Sequence, residues 1–175
     1  IDKMLAHNKR IRIAIEPKPN EPMDVAYIPT IGHALALAQL TADPRRVGCL
    51  IESAHAILAG LDPADEIDFA MSFGKLWSLH LNDQNGLKFD QDKNFGAANL
   101  REAFNQVRVL EEAGYGRNGE MVGLDVKTFR TQKQSNNTAH LANSKRFFEL
   151  MVQKVRTFDR KAEAQLIRDR DYEGL

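Results

Sequence analysis

A chain of 175 residues with 43% apolar and 27% charged side chains can bury a real core and reads as one globular domain or part of one. Twenty-four basic residues balance twenty-four acidic ones, so no net field draws a nucleic acid backbone or an anionic membrane; a small molecule or a protein is the expected partner. Cys49 stands alone, which rules out an intrachain disulfide, and the lack of a spanning apolar run or a signal pattern makes the cytoplasm the expected compartment.

The alternating run Arg10-Ile11-Arg12-Ile13-Ala14-Ile15 predicts a strand. It ends in Glu16-Pro17-Lys18-Pro19-Asn20-Glu21-Pro22, whose prolines forbid regular continuation. Thr30 is placed to cap a helix over Ile31 to Leu40, and Asp43-Pro44 closes it. Val47 to Glu52 is a second short apolar strand that again ends on a carboxylate. Asp62-Pro63 opens a helix through about Phe73, and Leu76 to Leu81 reads as a third strand ending near His80.

The polar stretch from Asn82 to Asn94 is too long for a simple turn, and loops of that length in compact domains usually carry function. An amphipathic helix follows from about Asn99 to Ala113 and is stopped by Gly114. Met121 to Val126 gives a fourth strand and Ala139 to about Phe158 a long helix. A charged helical tail occupies 159–175, so the expected division is 1–158 and 159–175.

Four strand–helix units in a row imply a parallel sheet with right-handed crossovers, as an open doubly wound sheet or a piece of a barrel. A closed (β/α)8 TIM barrel takes about 250 residues, so the expected fold is roughly the last four β/α units of one. The chain opens at Ile1 without an initiator methionine and almost at once enters an apparent helix end, and sequence carrying the first four units is expected to precede it.

Glu16, Glu52, His80 and Asp125 each fall at or near the C-terminal end of a different strand, where parallel α/β folds place their active sites. Three carboxylates and an imidazole converging there would repel one another unless a divalent cation joined them. Glu52-x-x-His55 adds a second imidazole, and Asp90-x-Asp92 two more carboxylates, so a second metal close to the first is expected. Lys18 and Lys127 lie two residues beyond Glu16 and Asp125, on the same side of an extended chain. Taken singly, any of these is more readily a surface charge in a βα loop. His7, His33 and His140 read as structural or solvated, and Trp77 and Phe73 as core.

Glu16-Pro17-Lys18-Pro19-Asn20-Glu21-Pro22 resembles the xylose isomerase signature, and Lys88-Phe89-Asp90-Gln91-Asp92 with Phe95-Gly96 resembles that family's metal loop. The similarity runs from about Ile11 to Arg130 in order and spacing. It includes Glu52-x-x-His55-x-x-x-Ala59-Gly60, Gly74-Lys75-Leu76 and Asp125-x-Lys127. The resemblance implies that Glu16, Glu52 and Asp125 hold one divalent cation (Mn²⁺, Co²⁺ or Mg²⁺). Glu52 would bridge to a second held by His55, Asp90 and Asp92.

The resemblance further implies that Lys18 hydrogen-bonds the terminal oxygen of a monosaccharide. Hydride moves between its first two carbons, and Asp92 helps a metal-held water shuttle the proton. It also implies a homotetramer in which the C-terminal tail embraces a neighbour.

The family has aspartate where this chain has His80. Histidine followed by Asn82-Asp83 one residue on is similar to L-rhamnose isomerases, which leaves the sugar open, and an imidazole there predicts a preference for Mn²⁺ or Co²⁺. Leu50, Ile51 and Ser78 also depart from the pattern. An aldose–ketose isomerase is the expected function. The alternatives are another sugar isomerase or epimerase of the same barrel superfamily and a non-catalytic half-barrel module that dimerises through its free edges.

Overall fold

The computed structural model describes residues 1–22, 24–129 and 131–175; Arg130, where the resemblance was read to end, lies outside them. Four strands, β1 (Ile13–Ile15), β2 (Val47–Glu52), β3 (Leu76–Leu81) and β4 (Val122–Leu124), form one sheet in the order β1-β2-β3-β4. Every pairing is parallel. Sequence order equals spatial order, so each connection is a crossover on the same side, the arrangement of consecutive units in a β/α barrel.

The helices are α1 (Asp2–His7), α2 (Ile31–Gln39), α3 (Ser53–Leu58), α4 (Pro63–Ser72), α5 (Leu100–Ala113), α6 (Ala139–Thr157) and α7 (Arg160–Asp169). Among the described residues no helix is long and apolar enough to cross a membrane.

Alternation along the strands divides the sheet. Cys49, Ile51, Leu79 and Leu81 point into the main core, completed by Ile31 and Leu35 of α2, Ile67 and Ala70 of α4, Val107 and Leu110 of α5, and Met151 and Val155 of α6; Leu5, Ala38 and Val47 form a smaller cluster. The opposite face carries Ala14, Gly48, Leu50, Ser78, His80 and Gly123, which the ladder sets beside one another in register. That face has no second layer among the described residues, and neither do the outer edges of β1 and β4 have a partner strand.

Local chemistry explains most boundaries. Asp62 accepts from the Ala64 N–H, and Asn99 accepts from the Arg101 and Glu102 N–H groups, so α4 and α5 begin where the sequence placed them. Gly114, with φ +69, ends α5 in a left-handed cap. Thr30 stands at the N-terminus of α2 but does not cap it. Its hydroxyl turns to His33 Nδ1 at 2.8 Å, and Glu66 Oε2 from α4 takes the Ile31 N–H at 3.0 Å.

The outer strands are shorter than expected, because β1 pairs only with β2, which begins at Val47, and β4 pairs only with β3. Two aromatic assignments are corrected. Phe73 is 53% exposed and stacks edge-on with Phe69, because α4 buries Pro63, Ala64, Ile67 and Ala70, which leaves 69 and 73 outside. Trp77 sits at an irregularity in the β2–β3 ladder and leaves the helix-side core. Its ring covers Gly48, where a Cβ would stand 2.3 Å from it, and Arg12 stacks on it at 3.7 Å.

Candidate metal centre

The strand ends bring the sequence-spaced carboxylates together. Glu16 follows β1, Glu52 ends β2, His80 sits on β3 and Asp125 follows β4; each offers a donor atom within 4.8 Å of the others. Glu52, His55 and Asp90 form a second group on the same criterion, so Glu52 belongs to both.

His55 reaches its place through α3, an element the sequence reading did not anticipate. The helix starts directly after Glu52, and three residues return the imidazole over the carboxylate. His55 Nε2 lies 3.2 Å from Glu52 Oε1 and 3.4 Å from Asp90 Oδ2, and its Nδ1 is 3.6 Å from Glu16 Oε1.

Asp92 falls outside both groups but borders them. Its Oδ2 is 2.6 Å from Lys127 Nζ, and its Oδ1 accepts from Asn82 Nδ2 at 3.2 Å. Lys18 Nζ lies 2.6 Å from Asp90 Oδ2, and Lys127 Nζ also donates to the Asp90 carbonyl at 2.6 Å. Each lysine therefore holds one end of the loop that carries the two aspartates. Left-handed backbone at Phe89 (φ 59) and Asp92 (φ 42) bends that loop.

Three polar residues to which the sequence assigned no role, Asn82 and Asp83 noted only for their likeness to L-rhamnose isomerases and Gln84 not at all, build the frame. Asn82, 1% exposed, donates from Nδ2 to Glu52 Oε1 (2.8 Å) and the Asp125 carbonyl (2.9 Å), while its Oδ1 accepts from the Ala54 N–H (2.7 Å). Asp83 accepts from the Ala98 and Asn99 N–H groups and so fixes the entry to α5. Gln84 donates to the carbonyls of Gly86, Lys88 and Phe89 and accepts from the Gln91 N–H, bracing the aspartate loop from within. Their signal was position: three consecutive amide or acid side chains directly after a strand.

The electrostatics follow from this crowding. Burial first, then a hydrogen bond shared with Glu16 and the charges of Asp90 and Asp125, push the Glu52 carboxyl up to about 10, against the pull of Asn82. Burial also presses Asp90 upward, but hydrogen bonds from His55, Lys18 and Asp92 outweigh it and hold that carboxyl well below the usual range. Asp92 is raised by burial and by Asp90, with Lys127 opposing.

The donor set fits divalent cations. His55 Nδ1, His80 Nδ1 and Asp90 Oδ1 are buried without hydrogen-bond partners, and such groups are rare unless something coordinates them. Carboxylate oxygens mixed with one imidazole in each group suit a first-row divalent ion or Mg²⁺. Glu16 and Asp125 keep 37% and 54% of their side-chain surface open, so the groups remain accessible. A cavity of about 650 Å³ lies beside them, lined by Gln91, Lys93, Asn94, Lys127 and Phe129, and meets the site at Lys127.

Of the remaining histidines, His33 pairs with Thr30, and His140 Nδ1 is buried without a partner on α6.

No family model matches the chain. Over 105 residues, 60% of this chain, it is 47% identical to xylose isomerase of Streptomyces lividans, and that stretch is 27% of the relative's length. The resemblance read from the motifs is thus found again by comparison. The fold is similar to the structure of L-ribulose 3-epimerase, with a TM-score of 0.53 and 15% identity over 87% of this chain and 50% of that one. The four units are accordingly a partial (β/α) barrel, and the chain spans about half or less of the proteins it matches.

Proposed function

We propose that the chain carries the metal- and lysine-bearing half of an aldose–ketose isomerase like the xylose isomerase it resembles, acting on a monosaccharide. The observation that supports this best is the pair of donor groups sharing Glu52, with Lys18 and Lys127 bound to the aspartates of the adjoining loop.

When bound, divalent cations (Mn²⁺, Co²⁺ or Mg²⁺) supply polarisation of neighbouring sugar oxygens without an organic cofactor. Glu16, Glu52, His80 and Asp125 would hold one, and Glu52, His55 and Asp90, with Asp92 beside them, the other. Lys18 keeps 30% of its side chain exposed while its Nζ is anchored by Asp90, so it can turn a donor to the terminal oxygen of the sugar. Asp92, raised by burial and by Asp90, can take and return a hydroxyl proton at its carboxylate, with Lys127 Nζ steadying the charge.

Hydrogen would pass between the first two carbons of the sugar. Ring opening and the apolar walls of the pocket would come from preceding barrel units, and the working assembly would be a homo-oligomer, a tetramer. A second reading, an isomerase or epimerase for another sugar such as L-rhamnose, is favoured by one observation: His80 joins the first donor group.

Assaying the full-length protein on D-xylose, D-glucose and L-rhamnose with each cation, beside Lys18→Ala, tests the proposal. Cation-dependent turnover lost in Lys18→Ala by at least about a hundredfold is expected. Cation binding with no turnover of any sugar would overturn it.

A further inference from the structure

His80 occupies its place because the residue beside it has no side chain. It pairs in register with Glu52 on β2 and with Gly123 on β4. Its Nδ1 is buried, makes no hydrogen bond and lies 3.5 Å from Asp125 Oδ2. A Cβ at position 123 would stand 2.8 Å from His80 Cδ2, closer than carbon contacts allow, and 3.3 Å from Nε2. The ring therefore fills the volume that any larger residue on β4 would take. With its Cδ2 and Nε2 side against the β4 backbone, Nδ1 is the nitrogen left facing Asp125.

The geometry points to His80 and Gly123 as the pair that sets the cation preference of the first donor group. His80 supplies the nitrogen, and Gly123 is a positioning residue that keeps the ring where Nδ1 can act. This rests on the metal-centre reading above.

Without His80 the first group is all carboxylate, the hard oxygen set that suits Mg²⁺; with it the set is mixed and favours Mn²⁺ or Co²⁺. The second group already contains His55 with Glu52 and Asp90. Two mixed groups sharing Glu52 select the same class of ion, which lets one metal fill both positions.

The test uses the full-length protein with His80→Asp, His80→Gln and Gly123→Ala. Mg²⁺ and Co²⁺ affinities are measured by calorimetric titration, and the visible absorption of bound Co²⁺ is recorded. The Co²⁺-to-Mg²⁺ affinity ratio is expected to fall about tenfold or more in all three variants, with displaced Co²⁺ bands. His80→Gln separates loss of nitrogen from gain of charge, and Gly123→Ala keeps every donor while its Cβ presses first on the ring. His80 is 30% exposed on its side chain, so its replacements spare the core; should either fail to fold, Gly123→Ala still decides. Unchanged ratios and bands would overturn the inference while leaving the metal centre standing, whereas a wild-type protein that binds neither ion would overturn both.

Discussion

Asn82 is the side chain on which the greatest number of site groups depend. Its amide satisfies one Glu52 oxygen, the Asp125 carbonyl, Asp92 Oδ1 and the Ala54 N–H, all from a position 1% exposed. Truncation to alanine would leave the buried Ala54 N–H without a partner, at about 1–3 kcal/mol, and take one hydrogen bond from Glu52 Oε1, at about 1 kcal/mol, although His55 stays beside that oxygen. Asn82→Ala is therefore expected to destabilise the chain by about 2–4 kcal/mol in a denaturant melt. Cation affinity should fall about tenfold or more, because the residue aims Glu52 without ligating anything. A variant with unchanged stability and unchanged calorimetric affinity would show that the amide is not what holds Glu52 in place.

The elements show how a chain can declare its architecture and still conceal its site. Asn99 and Gly114 bracket α5 because a side-chain cap and a left-handed stop are local events, complete within a few residues. Likewise the convergence of Glu16, Glu52, His80 and Asp125 was legible, since a carboxylate or imidazole after a short apolar run falls at a strand end whatever the packing. By contrast α3 was not legible: Ser53 to Leu58 are mostly small residues continuing an apolar run, and helix starts there only because the strand stops at Glu52. The roles of Asn82 and Gln84 were equally silent: Asn82 acts on Glu52, Ala54 and Asp125, distant in sequence, and Gln84 braces a local loop whose left-handed bends no motif announces. Trp77 was misplaced because a register irregularity, invisible in the sequence, turns it to the other face.

At the same scale, α7 buries no residue and is held to α5 by polar contacts, chiefly the two-pronged pair of Arg108 with Glu163 at 2.7 and 2.8 Å. The pair is half-buried, with 28% and 20% of the two side chains open, and near-surface pairs of this kind add about 1 kcal/mol. Arg108→Ala should accordingly leave the melting temperature nearly unchanged while hydrogen exchange over 160–169 accelerates. Unaltered protection in those amides would mean that α7 is secured by something other than this pair.

For the whole molecule the deciding fact is that the sheet is open. Helices cover one face, but the other presents Ala14, Gly48, Leu50, Ser78, His80 and Gly123 in adjoining register, and the outer edges of β1 and β4 end without partners among the described residues. Parallel sheets are found almost only where both faces are covered, and an unpaired edge offers a row of free N–H and C=O groups to any strand that arrives. The small residues on the bare face leave room for larger side chains brought by whatever closes it, in keeping with a solved structure of similar fold of which this chain covers 50%. The 175-residue chain by itself is thus expected to associate through these edges at micromolar concentration and to sediment as a dimer or larger species. Lysine or proline placed on β1 at Ala14 should weaken that association without touching the helix-side core. A chain that stays monomeric and melts cooperatively would mean that four units bury enough on one face to stand alone, and that the open face of this sheet is tolerated in water.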